Sequence, residues 1–176
     1  MRNFRFKTLA LTSLPLLLSA CGGDDNNGST SAALTEDAYA VQLVAVDYSS
    51  SQVAIGNLIG DRTAEQGLLV ESQSGYTIST WGSQLYHIGQ YYIDTISRYD
   101  AAANTAIDQS LWTFSTNDAG DSSANAYQLV QTADDNGYLI RYGSGLIWQV
   151  DPSATAEADF VKGRIDLSAY AYDSSS

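Results

Sequence analysis

The chain has 176 residues, 44% hydrophobic, with 8 Lys+Arg against 20 Asp+Glu and a formal charge of −12. Its single Cys excludes an intrachain disulfide and a Cys-based zinc site, and its single His excludes a multi-His metal centre. The acidic balance excludes a nucleic-acid binder, which needs a basic face to neutralise phosphates, while the hydrophobic and aromatic content is that of one folded domain.

Residues 1–20 predict a secretory signal. Arg2, Arg5 and Lys7 make a positive start, and Leu9 to Leu18 make an apolar run too short to span a bilayer. Leu18-Ser19-Ala20-Cys21 then resembles the bacterial lipobox, which implies a diacylglycerol on the Cys21 sulfur, cleavage before it, and acylation of the new N-terminus. Removing residues 1–20 takes three of the eight basic residues and no acid, leaving a formal charge near −15, which repels anionic lipid. The anchor, not electrostatics, then holds the protein at its membrane. Gly22 after the Cys, in place of Asp, resembles the pattern of outer-membrane lipoproteins. The Gly-, Asn- and Ser-rich stretch that follows reads as a flexible tether over 21–37.

From residue 36 onward no helical period is sustained. Short β-rich runs predict strands at Tyr39–Val46, Gln52–Ile55, Gly67–Val70, Tyr76–Thr80, Leu85–Ile88, Tyr91–Tyr99 and Leu111–Ser115. More follow at Tyr127–Thr132, Tyr138–Tyr142, Leu146–Val150 and Arg164–Leu167. Asp134-Asp135-Asn136-Gly137 predicts a hairpin in which Asn-Gly supplies the positive φ. Gly143-Ser144-Gly145 predicts a second turn, and Ser153–Phe160 a helical turn.

The strands recur. Leu85–Ile88 aligns with Tyr138–Arg141, Tyr92–Tyr99 aligns with Leu146–Val150, and each copy then reaches an acid, Asp100 or Asp151, with a two-residue gap in the match. The unit is one four-stranded sheet, near the size of a propeller blade, about 40–50 residues. Tyr86–Gly89, Ser97–Asp100, Asn125–Val130, Tyr138–Ser144 and Asp166–Tyr170 together resemble the bacterial β-propeller lipoproteins related to the YVTN-repeat group. The likeness covers roughly residues 39–173. It implies a surface or periplasmic protein that binds a ligand or partner, with some relatives sitting beside outer-membrane nutrient transporters, and it carries no catalytic residue set. The expected fold is all-β, a propeller-like array of four-stranded antiparallel blades over 38–176. That length holds about 2.7 blade-sized units, whereas rings close with about 4–8. An incomplete ring is expected, as a truncated gene, an open array or a ring completed by other copies; truncation or a fragment of a longer frame is favoured.

Few side chains suggest chemistry. His87 lacks a visible orienting carboxylate and nucleophile, so it reads as structural and no catalytic residue is assigned. Arg98 and Arg141 lie in corresponding regions of the repeat; cross-strand ion pairs are the favoured reading and anion contacts the functional alternative. Asp118, Asp121, Asp134 and Asp135 have the oxygen chemistry of calcium ligands without EF-hand spacing; turn formation accounts for them equally, and no metal site is assigned. Trp112 and Trp148 sit in strand patterns suited to packing; Trp81-Gly82 lies in a turn and is the better candidate of the three for an exposed stacking surface, although packing is the favoured role there too. No phosphate-binding or dinucleotide loop is present, and no cofactor is expected.

The expectation is therefore an outer-membrane lipoprotein anchored through Cys21, with Trp81, Arg98 and Arg141 as ligand-binding candidates. Its partners are the membrane, through the lipid, and an envelope protein or transporter; nucleic acid is excluded. The alternatives are a propeller-type lyase or hydrolase, and a nonfunctional remnant.

Overall fold

A computed structural model of the chain describes residues 33–60, 62–103 and 105–170; Cys21 and the signal lie outside them. Eleven strands occur among these residues, in three antiparallel sheets that follow one another along the chain. The first sheet holds β1 (Ala38–Val44), β2 (Ser51–Asn57) and β3 (Ala64–Glu71). The second holds β4 (Tyr76–Trp81), β5 (Gln84–Gly89), β6 (Thr95–Asp100) and β7 (Trp112–Ser115). The third holds β8 (Ala126–Ala133), β9 (Asn136–Arg141), β10 (Leu146–Val150) and β11 (Val161–Asp166). Each sheet is a simple meander, with strands paired in chain order. Two sheets thus match the expected four strands; the first shows three.

The sheets stack through their first strands. β1 packs on β4, and β4 on β8. The Leu129 N–H donates across the second junction to Ser79 Oγ at 3.0 Å. The pleat of β5 explains the stacking, because successive side chains point to opposite faces. Leu85 and, from β6, Tyr99 pack with Val53 and Ile55 of the first sheet. Tyr86 and Ile88 join Ile96, Trp112 and Phe114 against Leu129, Leu139, Trp148 and Val150 of the third. The second sheet is therefore apolar on both faces. The third is apolar on its inner face and mixed on its outward one, where Tyr138, Ile147 and the more exposed Val130 and Ile165 share the surface with Gln128, Asn136 and Gln149.

Several sequence expectations need correction. Leu34, assigned to the tether, is buried in the first core, and its N–H donates to Ala101 O at 2.6 Å. Strand β6 begins at Thr95, not Tyr91. Tyr92 and Asp94 have φ of 65° and 49°, so the intervening stretch is a tight turn. Between β8 and β9 the turn residues are Asp134 and Asp135. Asn136 and Gly137 already belong to β9, and neither has positive φ. Gly137 is instead a packing position: a Cβ there would sit 3.1 Å from Leu129 Cδ1. The helical element is shorter than expected, Glu157–Phe160 (α1).

The repeat is real at the level of strand order but shifted by one residue in its second strand. With Asp100 matched to Asp151, Tyr99 falls on Val150. Tyr99 pairs with Leu85, and Val150 pairs with Gly137. Gly137, not Tyr138, is thus the equivalent of Leu85. A one-residue slip would have sent every side chain to the wrong face. Arg98 lies on a third strand and Arg141 on a second, so the two arginines are not equivalent.

Candidate functional site

The β4–β5 hairpin turns at Gly82-Ser83, where Gly82 takes a positive φ of 55°, a conformation glycine adopts without steric cost. Trp81 and Gln84 face each other at its mouth. The first hairpin of the next sheet turns at Asp134-Asp135. Because the sheets stack, these two tips meet: Trp81 Nε1 donates to Asp134 Oδ1 at 2.9 Å.

Arg98 enters from β6, opposite Tyr86 and Trp112. Its Nε donates to Gln84 Oε1 at 2.8 Å and its Nη1 to Pro152 O at 3.1 Å. Trp81, Gln84, Arg98, Gln131, Asp134 and Ser153 line a cleft of about 370 Å³. This volume falls in the range of small-molecule pockets, roughly 300–1,000 Å³. Gln131 is held by Ala133 O at 3.0 Å and Asp134 O at 3.3 Å through its Nε2, and its Oε1 is buried. Tyr86 lies beneath, fully buried. Burial pushes its phenol above the ordinary value, and the Arg98 charge and a Gln131 hydrogen bond work the other way.

Trp81 and Arg98, nominated separately from sequence, are thus brought together; Arg141 is not. The Arg141 side chain is buried, donates from Nε to Thr116 O at 2.9 Å, and forms an ion pair with Asp121. Its guanidinium also sits 4.2 Å over the Trp148 ring. Burial pushes Arg141 below the usual arginine value, and Asp121 and Asp118 oppose that shift. This is a structural interior cation. Trp112 and Trp148 are core residues, as their strand patterns suggest.

The loop acids have partners too. Asp118 holds Arg164, with Nε to Oδ2 at 2.6 Å, and this hydrogen bond keeps its carboxyl below the ordinary range. Asp135 lies 3.5 Å from Lys162 Nζ. Among the described residues no cluster suited to a metal ion occurs.

His87 is buried between the first and second sheets. Its ring stacks on Tyr76 at 4.3 Å and 14°, and Nδ1 lies 4.0 Å from Glu71 Oε1. Burial pulls its pKa from 6.5 to about 4. Between those values the unfolded chain takes up a proton that the folded chain refuses. Stability is full above pH 6.5 and falls as pH drops toward 4, by about 3 kcal/mol for a shift of this size. Urea unfolding at pH 7 and pH 4 should show this loss in the parent chain. His87→Gln should flatten the difference.

Sequence reasoning missed Gln84, Gln131 and Asp134 as members of the cleft. The signal lay in the repeat: the corrected register makes Gly82-Ser83 and Asp134-Asp135 equivalent hairpin tips, and equivalent tips of stacked sheets are neighbours. No protein-family model matches the chain, and no curated protein matches it either.

Proposed function

We propose that this chain is a lipid-anchored protein of the outer membrane whose blade-like sheets form a propeller-like array and bind a small polar ligand in the cleft beneath Trp81. The observation that carries the binding reading is the meeting, in one cleft, of a partly exposed indole and an arginine whose two hydrogen-bond acceptors are both neutral. The meander order and the stacking of first strands support the array. The lipobox ending in Cys21 supports the anchor. Such a protein presents rigidly held loops to a ligand beside another envelope protein, a transporter being the partner that the family resemblance implies.

Two measurements test this reading. Mass spectrometry of the N-terminal peptide should show Cys21 as the first residue, carrying acyl chains; an unmodified peptide that retains residues 1–20 removes the anchor. Trp81 is 36% exposed, against 8% for Trp112 and 3% for Trp148. Ligand binding should therefore change chiefly the Trp81 fluorescence. Trp81→Ala should weaken binding about tenfold or more, ~1.4 kcal/mol or above. Retained affinity in that variant would remove the cleft from the function.

A further inference from the structure

We infer that the ligand of the Trp81 cleft is a sugar bearing one carboxylate, a uronic-acid-type ring that lies against the indole and hands its acid group to Arg98. This inference rests on the binding reading above and names the ligand class.

The argument starts from charge. The chain has 20 acids for 8 bases, and the cations of the third sheet are paired: Arg141 with Asp121, Arg164 with Asp118, Lys162 with Asp135 and Asp151. Arg98 differs. Both of its hydrogen-bond acceptors, the Gln84 amide oxygen and the Pro152 carbonyl, are neutral. Among the described residues no carboxylate lies within ion-pair distance of it. Surrounded by so many acids, an arginine without one keeps its charge available.

These two bonds also use only part of the five-donor guanidinium fork, and they fix its plane. A guanidinium so fixed receives a carboxylate through two parallel hydrogen bonds at little ordering cost.

The rest of the cleft is built for hydroxyls. Asp134 accepts from Trp81 through Oδ1, which orients the indole and leaves its other oxygen for a hydroxyl. The indole offers a flat apolar wall for the C–H face of a ring. A carboxylate without hydroxyls would leave that oxygen without a ligand donor.

Asp134 also limits the charge. Its carboxylate on the rim, in so acidic a chain, repels a second negative group, so a phosphate dianion or a polyanion is disfavoured. A cleft of about 370 Å³ suits one or two sugar rings.

The test titrates the purified full-length lipoprotein in detergent with methyl glucuronide, methyl glucoside and glucose 6-phosphate, followed by calorimetry and by Trp81 fluorescence. The glucuronide should bind about tenfold or more tighter than the glucoside, and the phosphate more weakly than the glucuronide. Arg98→Gln should abolish the difference between the two glycosides. Arg98→Lys, which keeps the charge and loses the fork, should restore part of it; both variants are checked for native near-UV circular dichroism.

Equal affinity for the two glycosides, a preference that survives Arg98→Gln, or tighter binding of the phosphate overturns this inference and leaves the cleft as a binding site. No response to any saccharide, with Trp81 responding to another class of envelope ligand, overturns the sugar assignment alone. No ligand that moves Trp81 overturns the binding reading itself.

Discussion

Replacing Phe160 by alanine should lower the unfolding free energy by about 3–5 kcal/mol, the range for truncating a fully buried aromatic ring. Phe160 ends the short α1 turn and is 0% exposed. Its ring lies 5.5 Å from that of Trp112 and 5.4 Å from that of Phe114, which themselves stack at 4.2 Å. One side chain from the β10–β11 connection thus wedges against the outermost strand of the neighbouring sheet. Two polar bonds hold the wedge in place. Asp151 N–H donates to Phe160 O at 2.7 Å, and Ser115 N–H donates to Glu157 Oε1 at 2.8 Å. Backbone held at both ends cannot collapse into the space an alanine would leave, so the cavity term persists. Phe160→Leu keeps most of the volume and should cost less than about 1.5 kcal/mol. Urea titrations would show a lowered midpoint at unchanged slope for the alanine variant.

Arg141→Met should cost about 3–5 kcal/mol, because removing one partner strands the other in a place poor in water. The Asp121 side chain is 19% exposed, so partial rehydration places the loss toward the lower end. The substitution also uncovers the Trp148 ring, whose Nε1 is already buried without a partner and whose face the guanidinium covers at 4.2 Å. Adding Asp121→Asn should recover part of the loss, since it removes the stranded charge. The same variant separates structure from function: ligand affinity at the Trp81 cleft should be unchanged while the urea midpoint falls. A midpoint near the parent value together with lost binding would instead put Arg141 in the ligand site.

The strands were readable wherever an element carried its own periodicity. Trp112 and Phe114 alternate with Thr113 and Ser115, and burial alternates with them. Legibility failed where tertiary contacts decide the backbone. Tyr91, Tyr92 and Ile93 are β-formers by type, yet they turn. Asp94 Oδ1 accepts from Ser123 Oγ at 2.9 Å and Asn125 N at 2.8 Å, and these distant groups hold the left-handed geometry at Tyr92 and Asp94. Asn136-Gly137 misled for the opposite reason. The glycine serves close packing under Leu129, so its presence says nothing of φ.

The cleft was half legible. Trp81 stood out as a turn tryptophan and Arg98 as a cation among acids. Their partners come from β5, from a hairpin in another sheet and from the β10–β11 connection, and only the stacking of sheets brings them together. Arg141 resembled Arg98 in one dimension. Its placement on a second strand, facing inward, makes it a core residue.

Among the described residues the middle sheet alone contributes to both apolar cores, which makes this part of the chain close to a one-dimensional stack with unequal layers. Either flanking layer can open by giving up one junction; the centre cannot open without disrupting two. Amide exchange should therefore be slowest in β5 and β6 and quicken toward both flanks. The candidate cleft straddles one such junction, so local opening there would dismantle the ligand cradle, and a bound ligand would in turn clamp that seam shut.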